Sequence, residues 1–343
     1  MTEKKTYITM LNVVSCLSVL FLHTSGFWGF GKTRGWVAAN FIECVFYFAV
    51  PIFIMISGVT LIDYRDRCTT AEYFKKRIKK TVIPFFFWSL FGLFFLIWRD
   101  GKESVSFKPT DIVDSIINCK YLPLYYFFII IFGIYLALPM IGLIPKEKRK
   151  KALSYCILVA VTVNTVLPFL TSLSGGKINH NPKFVFPICN GYLQYALIGY
   201  YLDKYELSGK LKAIIYILGI SGLAVHFFGT WYLSFRDNSL NSLFKGYTNV
   251  PCVFYSTALF LLFKDFPFDK MPGFIIKSLS FFSGQTFGIY LIHIQLMTVA
   301  SKCFNIAPQR FLLRIIYAVV LFAVSGLTVR IIQKTPVLKH IVP

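Results

Sequence analysis

Ten apolar stretches, each long enough to cross a bilayer, account for most of this chain and leave it little room to be anything else. Crossing ~30 Å of hydrocarbon takes about 20 residues at ~1.5 Å each. The reading places spans near 8–30, 39–62, 81–98, 122–144, 152–171, 185–202, 211–233, 247–264, 279–300 and 311–332. With 56% hydrophobic and only 15% charged residues, no ordinary soluble domain fits. The expected fold is an all-α integral membrane bundle of about ten helices around a central cavity, one transmembrane domain over 1–343 with no separate soluble domain. Nine further spans come after the first, so it does not read as a cleaved signal.

Alternate threading from a cytoplasmic N-terminus puts 23 of the 36 Lys and Arg residues inside and 13 outside. By the positive-inside rule both termini are then cytoplasmic. Arg65 to Lys80 and Pro145 to Lys151 carry most of that bias. The net charge of +21 is therefore a signal of topology and of contact with anionic membrane lipids, and no nucleic-acid partner is expected. Eight cysteines stand singly, without CxxC or Cys/His spacing, so neither a metal site nor a disulfide framework is expected. The loops near 99–121 and 233–246 are too short for a catalytic domain. Any chemistry must lie among the helices or at their ends.

A titratable side chain in hydrocarbon costs several kcal/mol and usually faces a cavity or a partner. His23, in LFLHTSGFW, and Glu43, in ANFIECVFYF, fall at similar depth on antiparallel neighbors, which allows a Glu–His pair. His293, in FGIYLIHIQLM, falls in the same half of the membrane. Each also has a plainer reading: a lone His that only ties helices together, and a Glu that only snorkels to the interface. His226 and His180 read as structural or solvated. Asn12 precedes His23 by almost three helical turns, so the two share a face roughly 16 Å apart. In CTTAEYFKKRIKKTVIPFFFWS, Thr69 and Glu72 spell a capping box, after which Lys76, Arg77 and Lys80 fall on one stripe. That stripe is either a positive-inside anchor or a site for a multiply charged anion.

Four motifs in order make the chain resemble the membrane acyltransferase type 3 family, most closely its branch that O-acetylates cell-surface polysaccharides. They are LNVVSCLSVLFLH ending at His23, FYFAVPIFIMISGVTLI with Ser57 and Gly58, YFKKRIKKTVIPFFFWS, and FSGQTFGIYLIHIQL with His293. The resemblance covers nearly the whole chain, and ten spans is the family's usual count. It implies transfer of an acyl group, often acetyl, from cytoplasmic acyl-CoA to a hydroxyl of an extracytoplasmic cell-envelope glycan, in the bacterial cytoplasmic membrane. It further implies that Asn12, Lys76, Arg77 and Lys80 bind the acyl-CoA, that His23 is the base or is itself acylated, that Glu43 orients it, and that His293 assists. Ser57 and Gly58 read as close-packing residues. Two positions depart from the family pattern: Asn12 stands where Arg is usual, and Lys80 where Arg is common. Neither reproduces a guanidinium fork. A transporter or flippase, or a non-catalytic sensor on the same fold, are the competing classes. Trp28, Trp36, Tyr192, Tyr195 and Trp231 read as an interfacial aromatic belt or as sugar-stacking platforms.

Overall fold

In the computed structural model, which describes residues 6–175, 177–306, 310–336 and 338–343, the apolar runs become helices and no strand forms among the described residues. We number them α1 (Thr6–Thr24), α2 (Arg34–Phe46), α3 (Ala49–Leu61), α4 (Thr70–Asp100), α5 (Pro123–Ile141), α6 (Lys146–Leu173), α7 (Leu193–Lys204), α8 (Gly209–Asp237), α9 (Val250–Asp265), α10 (Gly273–Ser283), α11 (Thr286–Phe304) and α12 (Phe311–Lys334). Among the described residues, eight segments are long and apolar enough to cross a bilayer, with α2 and α3 forming one of them as Arg34–Asp66. The sixth and eighth expected spans correspond to α7 and α9. At 12 and 16 residues these are shorter than a full crossing.

Prolines decide where these helices depart from regularity. Pro51 has no N–H and its ring crowds the carbonyl four residues earlier, that of Tyr47, so the second span opens between α2 and α3. The freed backbone groups find partners on α9: the Cys252 thiol reaches the Tyr47 carbonyl at 3.9 Å and the Tyr255 hydroxyl donates to the Val45 carbonyl at 2.9 Å. Ahead of Pro84, α4 widens into a π turn at Ile78–Val82, where the Ile83 N–H skips to the Ile78 carbonyl. Ahead of Pro168, α6 widens in the same way at Val161–Val166. A third π turn, at Val225–Gly229 in α8, has no proline beside it. The capping box at Thr69 and Glu72 forms as the sequence spells it, with the Thr69 hydroxyl accepting from the Glu72 N–H and the Glu72 carboxylate accepting from the Thr69 N–H.

Small residues set how close the central helices come. A Cβ on Gly58 of α3 would lie 1.9 Å from the Ala196 carbonyl oxygen of α7, and one on Gly199 of α7 would lie 2.5 Å from that of Met55. Only hydrogen fits at these crossings, the membrane counterpart of a tightly packed core. Near them, Arg149 on α6 is buried and bonds Asp63 at 2.6 Å and the Tyr200 hydroxyl at 2.8 Å. With its partners in place, that buried cation is compensated rather than stranded. The Tyr7 hydroxyl of α1 likewise donates to Asp203 of α7. Around this center α1 packs against α2, α3, α10, α11 and α12, which makes α1 the axis along which a site can be strung.

Candidate active site

Three cavities run along α1. The first, about 200 Å³, is walled by Asn12, Ser57, Thr81, Tyr135 and Thr286 together with Phe127 and Tyr290. The second, about 230 Å³, shares Phe127 and Tyr290 and adds Glu43, Tyr47, Tyr126, Tyr247 and His23. The third, about 620 Å³, shares His23 and adds Arg99, Asp100, Lys302, Arg314 and Tyr317. We call them the Asn12, Glu43 and Arg314 cavities. His23 thus borders two of the three, and the pair Phe127 and Tyr290 borders the other junction.

The two histidines meet. The rings of His23 and His293 lie 5.3 Å apart, centroid to centroid, tilted by 32°. His293 is 1% exposed, and its Nδ1 lies 3.0 Å from the Ile289 carbonyl and 2.8 Å from that of Tyr290. Carbonyl oxygens only accept, so Nδ1 carries a hydrogen. In the neutral ring Nε2 is then a bare lone pair, and this atom is buried without a hydrogen-bond partner. Neutral His293 can accept a proton or a hydrogen bond at Nε2 and cannot donate one there.

Glu43 shares a cavity with His23, but its carboxylate is tied elsewhere. Ser25 donates to Oε2 at 3.0 Å, and the Lys245 ammonium lies 3.1 Å from Oε1. Both charged side chains are buried. The ammonium sits 3.5 Å from the Phe27 ring center and 4.9 Å from that of Tyr47, so aromatic faces supply what water does not. Burial pulls the Lys245 ammonium below its ordinary value while Glu43 pulls it back up. The expected Glu–His pair is thus a Glu–Lys pair beside a histidine, because Lys245 brings a full charge to a carboxylate that an imidazole would only hydrogen-bond.

The residues expected to bind an acyl-CoA are placed unequally. Asn12 lines its cavity and donates to the Thr286 hydroxyl at 2.9 Å. Arg77 is half-buried, with its guanidinium 5.4 Å from the Tyr135 ring center and 5.8 Å from that of Tyr73, and its Nε has no partner. Lys76 and Lys80 are exposed. The stripe is therefore split: one cation turns toward the Asn12 cavity through Tyr135, and two face out. Ser57 borders the same cavity and returns its hydroxyl to the Phe53 carbonyl at 2.9 Å, while Gly58 serves the packing described above.

Of the aromatic residues read as a belt, Trp28 is 71% exposed, whereas Trp36 and Tyr195 are buried and hydrogen-bonded, to the Phe27 and Tyr247 carbonyls respectively. His226 is buried edge-on against Tyr47, and His180 bonds Thr171 at 2.8 Å. The sequence reading missed Lys245, Tyr47 and Tyr290. A cation flanked by aromatics in FKGY was the available signal for Lys245, but it lies in a polar loop where cations are ordinary. The cluster of Arg99, Lys302 and Arg314 was also missed, since each stands at a helix end where basic residues ordinarily anchor a span.

The family model described as an acyltransferase domain matches residues 5–330. No curated protein and no solved structure matches the chain.

Proposed function

Because the chain belongs to the acyltransferase type 3 family, a family of membrane acyltransferases, we propose that it transfers an acyl group, acetyl first among the candidates, from acyl-CoA on one side of the bilayer to a hydroxyl on the other. The acceptor is a cell-envelope glycan or a related hydroxyl compound. The observation that carries this reading is the succession of three cavities along α1 with His23 at the last junction. Both termini lie in the cytoplasm in this reading, and the membrane is a bacterial cytoplasmic membrane.

Coenzyme A is a polyanion on a long flexible arm. Its phosphates dock on Lys76, Arg77 and Lys80 in the second and third turns of α4, and its arm runs into the Asn12 cavity. The thioester passes Phe127 and Tyr290 to reach His23. A hydroxyl in the Arg314 cavity gives its proton to the His23 imidazole as its oxygen attacks the thioester carbon. The tetrahedral intermediate collapses, the C–S bond breaks, and the CoA thiolate takes the proton back from His23. Neutral His293 has no N–H at Nε2, so its part is to accept a hydrogen bond and hold the pair of rings or the incoming hydroxyl, not to stabilize the oxyanion. Glu43 and Lys245 fix the wall of the middle cavity. A course in which His23 is first acylated uses the same atoms and leaves an acyl-imidazole, which rapid quenching and intact mass measurement would reveal.

The test is thermal stability of the detergent-purified protein with acetyl-CoA, CoA and ATP, comparing wild type with Arg77→Ala. A saturable rise with acetyl-CoA, absent with ATP and weakened in the variant, is expected. No rise with acetyl-CoA at high concentration would remove the acyl-CoA site.

A further inference from the structure

We infer that the acceptor is the hydroxyl-bearing headgroup of an anionic lipid, with the headgroup in the Arg314 cavity and a tail in the aromatic groove next to it. This deepens the acyl-transfer reading and rests on it for the identity of the reaction, though the binding it requires can be measured without turnover.

Charge gives the first half of the argument. The Arg314 cavity brings together three cations, Arg99, Lys302 and Arg314, and one carboxylate, Asp100, which Arg99 already holds at 2.6 Å. Arg314 donates to the Ser25 carbonyl, and its guanidinium lies over Gly26, where a Cβ would come within 2.4 Å of it. Cations thus outnumber the carboxylate within the same walls as His23, Thr24 and Ser301. Anchoring cations at a helix end need no concavity; these three line the largest cavity of the site. An anion carrying hydroxyls suits walls of that sign better than a neutral sugar does.

Adjacency gives the second half. Below Arg99 on α4 and below Lys302 on α11, a groove of about 440 Å³ runs between α4, α11 and α12, walled by Trp88, Phe91, Phe95, Trp98, Leu296 and Val299. From Trp88 to Trp98 it extends ~15 Å, by ten residues of helical rise, which is the depth of one leaflet. Lys302 joins the two spaces: its ammonium donates to the Arg99 carbonyl and lies 5.3 Å from the center of the Trp98 ring. Within the groove Gln295 is 6% exposed, with its amide beside the Tyr125 hydroxyl. A soluble anion fills the cavity but not the groove, and a zwitterionic lipid fills the groove but does not match the sign of the cavity.

The full-length protein in maltoside micelles is titrated with dioleoyl phosphatidylglycerol, with dioleoyl phosphatidylcholine and with glycerol 1-phosphate, while the melting temperature is recorded and bound lipid is counted by native mass spectrometry. A saturable rise with the phosphatidylglycerol alone is expected. Val299→Trp, which fills the groove, and Lys302→Gln, which removes the bridging cation, should each weaken it about tenfold or more, equivalent to ~1.4 kcal/mol. The rise given by acetyl-CoA should persist in both variants and reports that they are folded. Equal shifts with the choline lipid, a full shift with glycerol phosphate, or wild-type affinity in Lys302→Gln would overturn the inference. Failure of the acyltransferase reading looks different: wild type would not respond to acetyl-CoA, whatever the lipids do.

Discussion

His23 borders two cavities at once, so removing its ring should separate binding from chemistry. In His23→Ala we expect transfer to fall by about 10²–10⁴-fold, the range that general acid–base groups supply, while the stabilization by acetyl-CoA is unchanged; CoA thiol release and melting temperature measure the two. Glu43 and Lys245 make a different prediction. Lys245→Met strands a carboxylate that is buried with only Ser25 beside it, and breaking one side of such a pair costs ~3–5 kcal/mol. The double variant Glu43→Gln/Lys245→Met should recover much of that loss in urea or thermal unfolding, and a double variant no more stable than the single would refute the pairing. At this scale the sequence marked the polar side chains that interrupt an apolar run, and the structure places Asn12, His23 and Glu43 on cavity walls along α1 and His293 against His23. It was unreadable where the decisive partner sits in polar surroundings of its own, as Lys245 does, because hydropathy contrast is the only signal a single residue gives.

Proline and glycine govern the elements. Pro51→Ala supplies an N–H within reach of the Tyr47 carbonyl, so α2 and α3 should join into one straighter helix and pull Tyr47 away from Cys252. Activity should fall although the helix itself gains a bond, and a melting temperature that holds or rises alongside lost turnover would mark the break as functional. Gly58→Val places carbon where the Ala196 carbonyl oxygen already is, 1.9 Å away, and should cost at least ~1–3 kcal/mol or prevent folding; expression and fluorescence-detected size exclusion check this. The apolar runs announced nearly every helix, since a bilayer-length stretch without charge has few other fates. The π turns were another matter. Two of them precede prolines that are visible in the sequence, but the turn at Val225–Gly229 has no such marker. The expected stripe of Lys76, Arg77 and Lys80 came apart for a simpler reason: neighboring residues on a helix point about 100° apart, so Arg77 reaches the Tyr73 and Tyr135 faces while Lys76 and Lys80 stay exposed.

For the molecule as a whole, the arrangement predicts that the two ends can be blocked independently. Thr81→Trp fills the Asn12 cavity and should raise the KM for acyl-CoA severalfold or more while sparing affinity for the acceptor; steady-state kinetics in proteoliposomes with each substrate varied in turn would show it. The bundle of membrane-crossing helices was legible from hydropathy, and the presence of chemistry from the polar residues inside it. A central cavity was expected, but its division into three was not legible, because the walls of a void belong to several helices together and leave no trace on any one of them.

Phe127 and Tyr290 wall both the Asn12 and the Glu43 cavity, and that position has a consequence for the membrane beyond catalysis. A membrane holding 100 mV stores ~2.3 kcal/mol for every charge that crosses it, and a row of hollows along one helix is the shape of a leak. Two aromatic rings shared by neighboring cavities would give a hydrated ion nothing to replace its water. In the proposed transfer the passage for the acyl group would also be the insulation of the membrane, and enlarging it by Phe127→Ala should be felt first as a dissipated proton gradient.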